Sequence, residues 1–275
     1  MTYFIADSSS DRPVIAGLPV QYVPLIISTE EKSFTDDALL NVSEMLDYLA
    51  SHKGRSYTAC PSAGIWLSAF GEADTVYAVT ITSGLSGSYN AAMAARELYL
   101  QTHPDAQVAV FDSLSTGPEL RLILEKLKEL TDQNLPFDQV VSKVREYQKK
   151  TRLFFILQSL HNLAQNGRVS KVAATAVGML GIRIVGTASP VGTLAQLAKC
   201  RGDRKALRQI LDLVHQAGYA GGKIRITHVE NAPLAEVFAS LVRENWSHAS
   251  INIAPSSGLC SYYAERGAIL VAIET

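Results

Sequence analysis

The sequence predicts an α/β protein in two lobes, the first on a mostly parallel sheet and the second on a mixed one. Three observations predict it. Short β-rich apolar runs alternate with longer stretches of helical spacing through the first 150 residues, the signature of strands connected by covering helices. After residue 150 the pattern changes, with two β-like runs separated only by "SPVG", a hairpin-type turn. Hydrophobic residues make up 47% and charged residues 19% of 275, enough to bury a core in each lobe.

Taken in order, "TYFIA" at 2–6 reads as a first strand ending in "DSSSD", and 20–27 as a second extended segment. Leu39, Val42, Leu46 and Leu49 have helical spacing over 39–51. In "TACPSAG" Ser62 is placed to cap a helix through Phe70. Residues 75–82 form a buried strand, 88–101 a helix and 107–112 a further strand. Helices over about 118–130 and 136–149 close the first lobe, assigned to 1–150 with its boundary in the basic, polar "YQKKTR". The second lobe, 151–275, opens with "TRLFFIL". A short helix ending at "NGR" and another over about 171–180 follow, then the hairpin of "IRIVGTA" and "GTLAQLAKC". A helix at about 205–217, a strand at 223–228, a helix at about 233–244 and two strands complete it.

Charge and cysteine content exclude several classes of function. Lysine and arginine number 25 against 26 acidic residues, so no global field attracts nucleic acid or an anionic membrane. No apolar run approaches the roughly 20 residues that span a bilayer. The opening "MTYFIADSSSDRP" lacks a basic stretch before a long apolar one, so no secretory signal is expected. Cys60, Cys200 and Cys260 are far apart and odd in number, which argues against a zinc site and a disulfide framework. A cytoplasmic protein without metal or cofactor is expected.

The stretch "TITSGLSGSYNAA" at 80–92 is the most informative. Strand, then "SGLSGS", then helix is a geometry in which backbone N–H groups and the helix dipole attract an anion. Glycine lets the backbone approach closely, and Ser83, Ser86 and Ser88 add hydroxyl donors. The plain alternative is a tight turn with Ser88 as N-cap and nothing bound. A nucleotide-binding loop needs GxxxxG followed by lysine, a dinucleotide loop GxGxxG and a hydrolase elbow GxSxG, and none of these is present. Thr58, with Pro61 and Ser62, lies near the end of another extended run, where it is either a ligand donor or an ordinary β-branched strand residue. Ligands of open α/β sheets gather beyond the carboxyl ends of the strands, so the two hydroxyl clusters can share one crevice. Asp7, at the end of the first strand, either joins them or caps the next turn. A site of hydroxyls and backbone N–H groups suits holding a carboxylate better than attacking a substrate.

With these residues assembled, the chain resembles the DegV family of fatty-acid-binding proteins from end to end. The resemblance rests on "ADSSSD", "VPLII", "TACPSAG", "SGLSGSYNAA", "FDSLSTG", "LHNLAQNGRVS" and "GTLAQLAKCRGDRKAL", all in order. It implies a two-lobed DegV-like fold, a Rossmann-like first lobe and a mixed second one, with a long-chain fatty acid between them. The carboxylate would be held by the hydroxyls of Thr58 and Ser86, with Ser83 and the backbone at Gly87 beside them. The family implies lipid transport, or presentation of the acid to a separate fatty acid kinase, and no catalysis by the binder. Arg168 of "NGR" and Arg201 of "KCRGDRK" match positions facing the head group or the kinase. Arg168 can also serve a helix C-terminus, and Arg201 can be a solvated turn residue.

Two departures stand out. The family often carries a histidine in a G-T-H-x-G-P-G-type segment near the C-terminus, where this chain has "SSGLCSYYAERGA". "GIRIV" at 181–185 also lacks the proline common there. Both bear on kinase coupling more than on lipid binding. Burying some 15 methylenes at about 0.8 kcal/mol each contributes on the order of 12 kcal/mol before ordering costs. A hydrogen bond to the carboxylate adds roughly 1.5–3 kcal/mol, so the tail supplies affinity and the hydroxyls orientation. A carboxyl with an ordinary pKa of about 4.3 is ionised at neutral pH and suits such donors. The competing readings are a serine-dependent acyl hydrolase using Ser86, and an interaction protein whose ligand is incidental.

Overall fold

A computed structural model describes residues 1–169 and 181–275, and the helix expected over 171–180 lies outside the described residues. The chain opens with β1 (Thr2–Asp7), a single 3-10 turn (Ser8–Ser10) and β2 (Val20–Val23). The extended segment expected over 20–27 is two strands. Pro24 has no N–H to give to a ladder, and the chain leaves the first sheet there to form β3 (Ile26–Ser28) in another.

After β4 (Ser33–Thr35) comes α1 (Val42–Ser51). It begins later than the apolar spacing suggested, because Asn41 caps it by accepting the Glu44 N–H at 3.2 Å, leaving Leu39 92% exposed. Next are β5 (Tyr57–Ala59) and α2 (Ala63–Phe70), with Ser62 capping α2 as its position predicts. The parallel sheet is then completed by β6 (Thr75–Thr80), α3 (Ser88–Thr102) and β7 (Gln107–Asp112), in strand order β2-β1-β6-β7. Its strands alternate two buried faces. Phe4, Ala6, Tyr77, Val79 and Phe111 pack under α4 (Pro118–Asp132) and α5 (Phe137–Gln148). Ile5, Val76, Ala78, Val108 and Val110 pack against α2 and α3. This is the parallel sheet with helices on both faces that the alternating pattern predicts.

The second sheet has six strands, all within the second half of the chain. β8 (Thr151–Leu157), α6 (His161–Gln165) and the hairpin of β9 (Ile182–Ala188) with β10 (Leu194–Arg201) come first. α7 (Asp203–Gln216), β11 (Lys223–His228), α8 (Ala232–Asn245), β12 (Ser250–Pro255), α9 (Gly258–Ala264) and β13 (Ile269–Glu274) follow. The order is β10-β9-β8-β13-β11-β12, and only the β11–β12 pair is parallel. A small antiparallel sheet, β4-β3-β5, accompanies the two large ones. α9 has no counterpart in the periodicity, since seven residues give too short a window for helical spacing to show.

α4 joins the two large sheets. Leu120, Ile123, Leu124 and Leu127 belong to the core of the first sheet, while Leu122 packs with strands of the second. On its polar side Glu125 accepts a forked pair of hydrogen bonds from Arg225 of β11, Nε at 2.9 Å and Nη2 at 2.8 Å. Both partners are largely buried.

Candidate functional site

The "SGLSGS" loop leaves β6 and enters α3, and most of its backbone donors are used within the protein. The Ser83 N–H donates to the Asp112 carboxylate at 3.0 Å and the Gly84 N–H to the Thr82 hydroxyl at 3.1 Å. Leu85 and Ser86 N–H groups donate to the Thr82 carbonyl. The Ser88 N–H donates to Ser86 Oγ at 3.3 Å, which leaves the Ser86 hydroxyl proton free to donate elsewhere. The Gly87 N–H has no partner among the described residues.

Ser88 is not the cap. It is the first residue of α3, Gly87 holds the N-cap position, and the Ser88 hydroxyl turns inward to donate to Asp7 Oδ2 at 2.7 Å. A buried carboxylate with unmet acceptors draws the hydroxyl more strongly than the helix end does. Asp7 is fully buried and also accepts the Ile81 N–H at 2.9 Å and the Ser9 hydroxyl. Burial pushes its pKa up to about 6, with these hydrogen bonds acting against the rise. Asp7 therefore pins the loop from behind and does not line the cavity.

From the second sheet, the β9–β10 turn rests on the same loop. Gly192 has φ +74°, and a Cβ there would run into the Thr82 hydroxyl. At Gly84 a Cβ would lie 2.9 Å from the Val191 carbonyl oxygen, so this approach needs glycine on both sides.

Between the sheets lies a narrow cavity, with about 60 Å³ of room for the centres of water-sized molecules. Leu153, Phe155 and Leu157, alternate residues of β8, face it together with Leu270 of β13. Phe154 and Ile156, the intervening residues, pack on the opposite side against α7 and α8. Leu25 and Ile81 close it from the first half of the chain. The wall is apolar except at Thr58, Ser86, Thr116, Arg168, Cys260 and Tyr263.

The structure thus brings Thr58, Ser86 and Arg168 into one cavity wall. Ser83 and Gly87 are exposed and lie outside it, and Arg201 is exposed at the end of β10. The Arg168 guanidinium donates through Nε to the Leu85 carbonyl at 3.2 Å. It donates through Nη1 to the carbonyl of Asn166, the C-cap of α6, at 2.6 Å, so it serves a helix end and the cavity at once. Its Cζ lies 5.7 Å from the centre of the Tyr263 ring. Tyr263 in turn shares a 2.7 Å hydrogen bond with the Thr58 hydroxyl.

Tyr263, Thr116 and Cys260 are the polar wall residues that sequence reasoning missed. The "SYY" of "SSGLCSYYAERGA" was the available signal, two adjacent phenols in a stretch noted above only for its absent histidine. Among the described residues no histidine hydrogen-bonds to Ser86, and no group of three or more acidic, histidine or cysteine residues is placed to hold a metal. The three cysteines are free. Among the described residues no helix is long and apolar enough to cross a membrane. The arrangement can hold an amphiphile, with an apolar body against leucines and a polar end against hydroxyls and one guanidinium.

Comparison with known proteins agrees with this geometry. A family model described as an uncharacterised protein of the DegV family matches residues 2–275. A DegV domain-containing protein of Streptococcus pneumoniae is 44% identical over 275 residues, covering 98% of both chains. Among solved structures, a DegV family protein from Eubacterium eligens loaded with heptadecanoic acid superposes with a TM-score of 0.98 at 50% identity over 100% of both chains. The Streptococcus pneumoniae Fatty Acid Kinase (Fak) B3 protein loaded with linoleic acid gives 0.96 at 42% identity over 99% of each.

Proposed function

The chain belongs to the DegV family, and on that premise we propose that it binds one long-chain fatty acid in the cavity between its two large sheets. The observation that carries this reading is the pairing of an apolar wall with Thr58, Ser86 and Arg168 at one cavity. Neutral hydroxyl donors beside a guanidinium match an ionised carboxylate, while the leucine-rich wall matches a hydrocarbon tail. In this arrangement Thr58 and Ser86 donate to the carboxylate. Ser83, exposed and outside the wall, is left out. Gly87, whose N–H is free among the described residues, is exposed and outside the wall and is left out as well. The fatty-acid-loaded relatives of 42% and 50% identity support the ligand class.

The same reading extends to presenting the acid to a separate fatty acid kinase, with Arg168 at the head group and exposed Arg201 facing the partner. The protein contributes no bond-breaking step of its own. A Ser86 hydrolase would need a general base, and none reaches that hydroxyl among the described residues. Titration of delipidated protein with palmitic acid should saturate at one site per chain, and an activated acyl ester should give no burst of product. Absence of saturable binding sinks the fatty-acid reading, and a stoichiometric burst decides for the hydrolase.

A further inference from the structure

We infer that Tyr263 is the positioning residue of the carboxylate site: its phenol donates to the Thr58 hydroxyl and so commits the Thr58 proton to the ligand. This rests on the fatty-acid reading above. It adds a role for a residue 205 positions away from Thr58 in the chain.

Thr58 sits in β5, paired with Ile27 of β3. Ser56 and Thr58, two apart, point the same way, and adjacent tyrosines of α9 meet them. Tyr262 and Ser56 share a 2.7 Å hydrogen bond, and so do Tyr263 and Thr58. Tyr262 is fully buried and also accepts from Asn166 Nδ2 at 2.9 Å. α9 is itself held at its start. Asp36 accepts the Gly258 and Leu259 N–H groups at 2.8 and 2.9 Å, and Asp11 accepts the Ser257 N–H at 2.8 Å. The Tyr263 ring is thereby fixed beside Thr58.

A threonine hydroxyl has one proton and free choice of rotor. If it donates to Tyr263, it has nothing to offer a carboxylate. If it accepts, its proton has only the cavity to serve. A phenol, with an ordinary pKa of about 10, is a stronger donor than an aliphatic alcohol. The Arg168 guanidinium near the ring draws electron density from it and strengthens that donation. Burial outweighs the lowering effect of Arg168 and leaves the Tyr263 pKa raised, so the phenol keeps its proton. The resulting chain, phenol to threonine to carboxylate, polarises in one direction.

The test is a double-mutant cycle with delipidated protein, titrated with palmitic acid and with its methyl ester. Tyr263→Phe should weaken binding of the acid about 5- to 20-fold while leaving the ester within about twofold. In a Thr58→Val background the same change should cost nothing further. The inference is overturned if Tyr263→Phe binds the acid as tightly as wild type, if acid and ester lose equally, or if the full loss recurs without the threonine hydroxyl. Wild-type protein that fails to bind palmitic acid at all would sink the fatty-acid reading instead. Thr58→Ser, which keeps the hydroxyl, should retain the sensitivity to Tyr263→Phe. Insensitivity there counts equally against the relay.

Discussion

Thr58 and Ser86 each bring one hydroxyl to a cavity whose remaining wall is mostly hydrocarbon, and that contrast sets what each substitution should do. In the proposed arrangement, Thr58→Val and Ser86→Ala each remove one charge-assisted hydrogen bond and leave the burial of the tail intact. Each should weaken binding of the free acid by about one to two orders of magnitude without unfolding the protein. The methyl ester should bind wild type and both variants alike, as isothermal titration would show. Tight binding of the acid by either variant would place the carboxylate elsewhere. These two positions, with Arg168, were legible in the sequence because short local motifs carry them. Tyr263 was not, since its partner is remote in the chain and the adjacent phenols of "SYY" do not by themselves say what they face. The inward turn of Ser88 was equally hidden, because the carboxylate that draws it belongs to a different strand.

At the scale of elements, the site is framed by buried acids. Asp7 holds the loop between β6 and α3, while Asp11 and Asp36 hold the start of α9. Burial pushes Asp7 and Asp11 up to about 6, and raises Asp36 and Glu119 as well. Each folded pKa lies above its unfolded value, so the folded state binds more protons and stability falls as pH rises between the two values. Lowering pH from 7 to 5 should therefore stabilise the fold, by roughly 1 kcal/mol each for Asp7 and Asp11. His228 works the other way, because burial lowers its pKa and its protonation favours the unfolded chain. Glu125, Glu129 and Glu230, held low by cationic partners, lose their contribution only at more acid pH. Urea titrations at pH 7 and pH 5 check this. The gain at pH 5 should shrink in an Asp7→Asn variant, which leaves His228 in place, and an unchanged pH dependence there would show that Asp7 is not strained. The elements themselves were mostly legible, since the first sheet follows the alternating pattern and the second begins where that pattern changes to a hairpin. The failures have local causes: Pro24 splits an extended run between two sheets, Asn41 delays α1, and α9 is too short to show a period.

The whole molecule places its ligand space where two sheets fail to meet directly. The first sheet is covered by helices on both faces, so its contribution to the cavity comes from loops beyond its strands, at Ile81 and Ser86. The second sheet contributes a bare strand face, Leu153, Phe155, Leu157 and Leu270. α4 packs Leu122 in the core shared with the second sheet and Leu120 and Leu124 in that of the first, and so joins the two. A largely apolar cavity with a few polar groups at one place favours retention of whatever amphiphile fits during expression. Native mass spectrometry of the protein purified from bacteria, followed by organic extraction, tests this most directly. A dominant species carrying one long-chain fatty acid per chain, recovered in the extract as the free acid, is the expected result. Protein that arrives empty, and stays empty after incubation with long-chain acids, would contradict it.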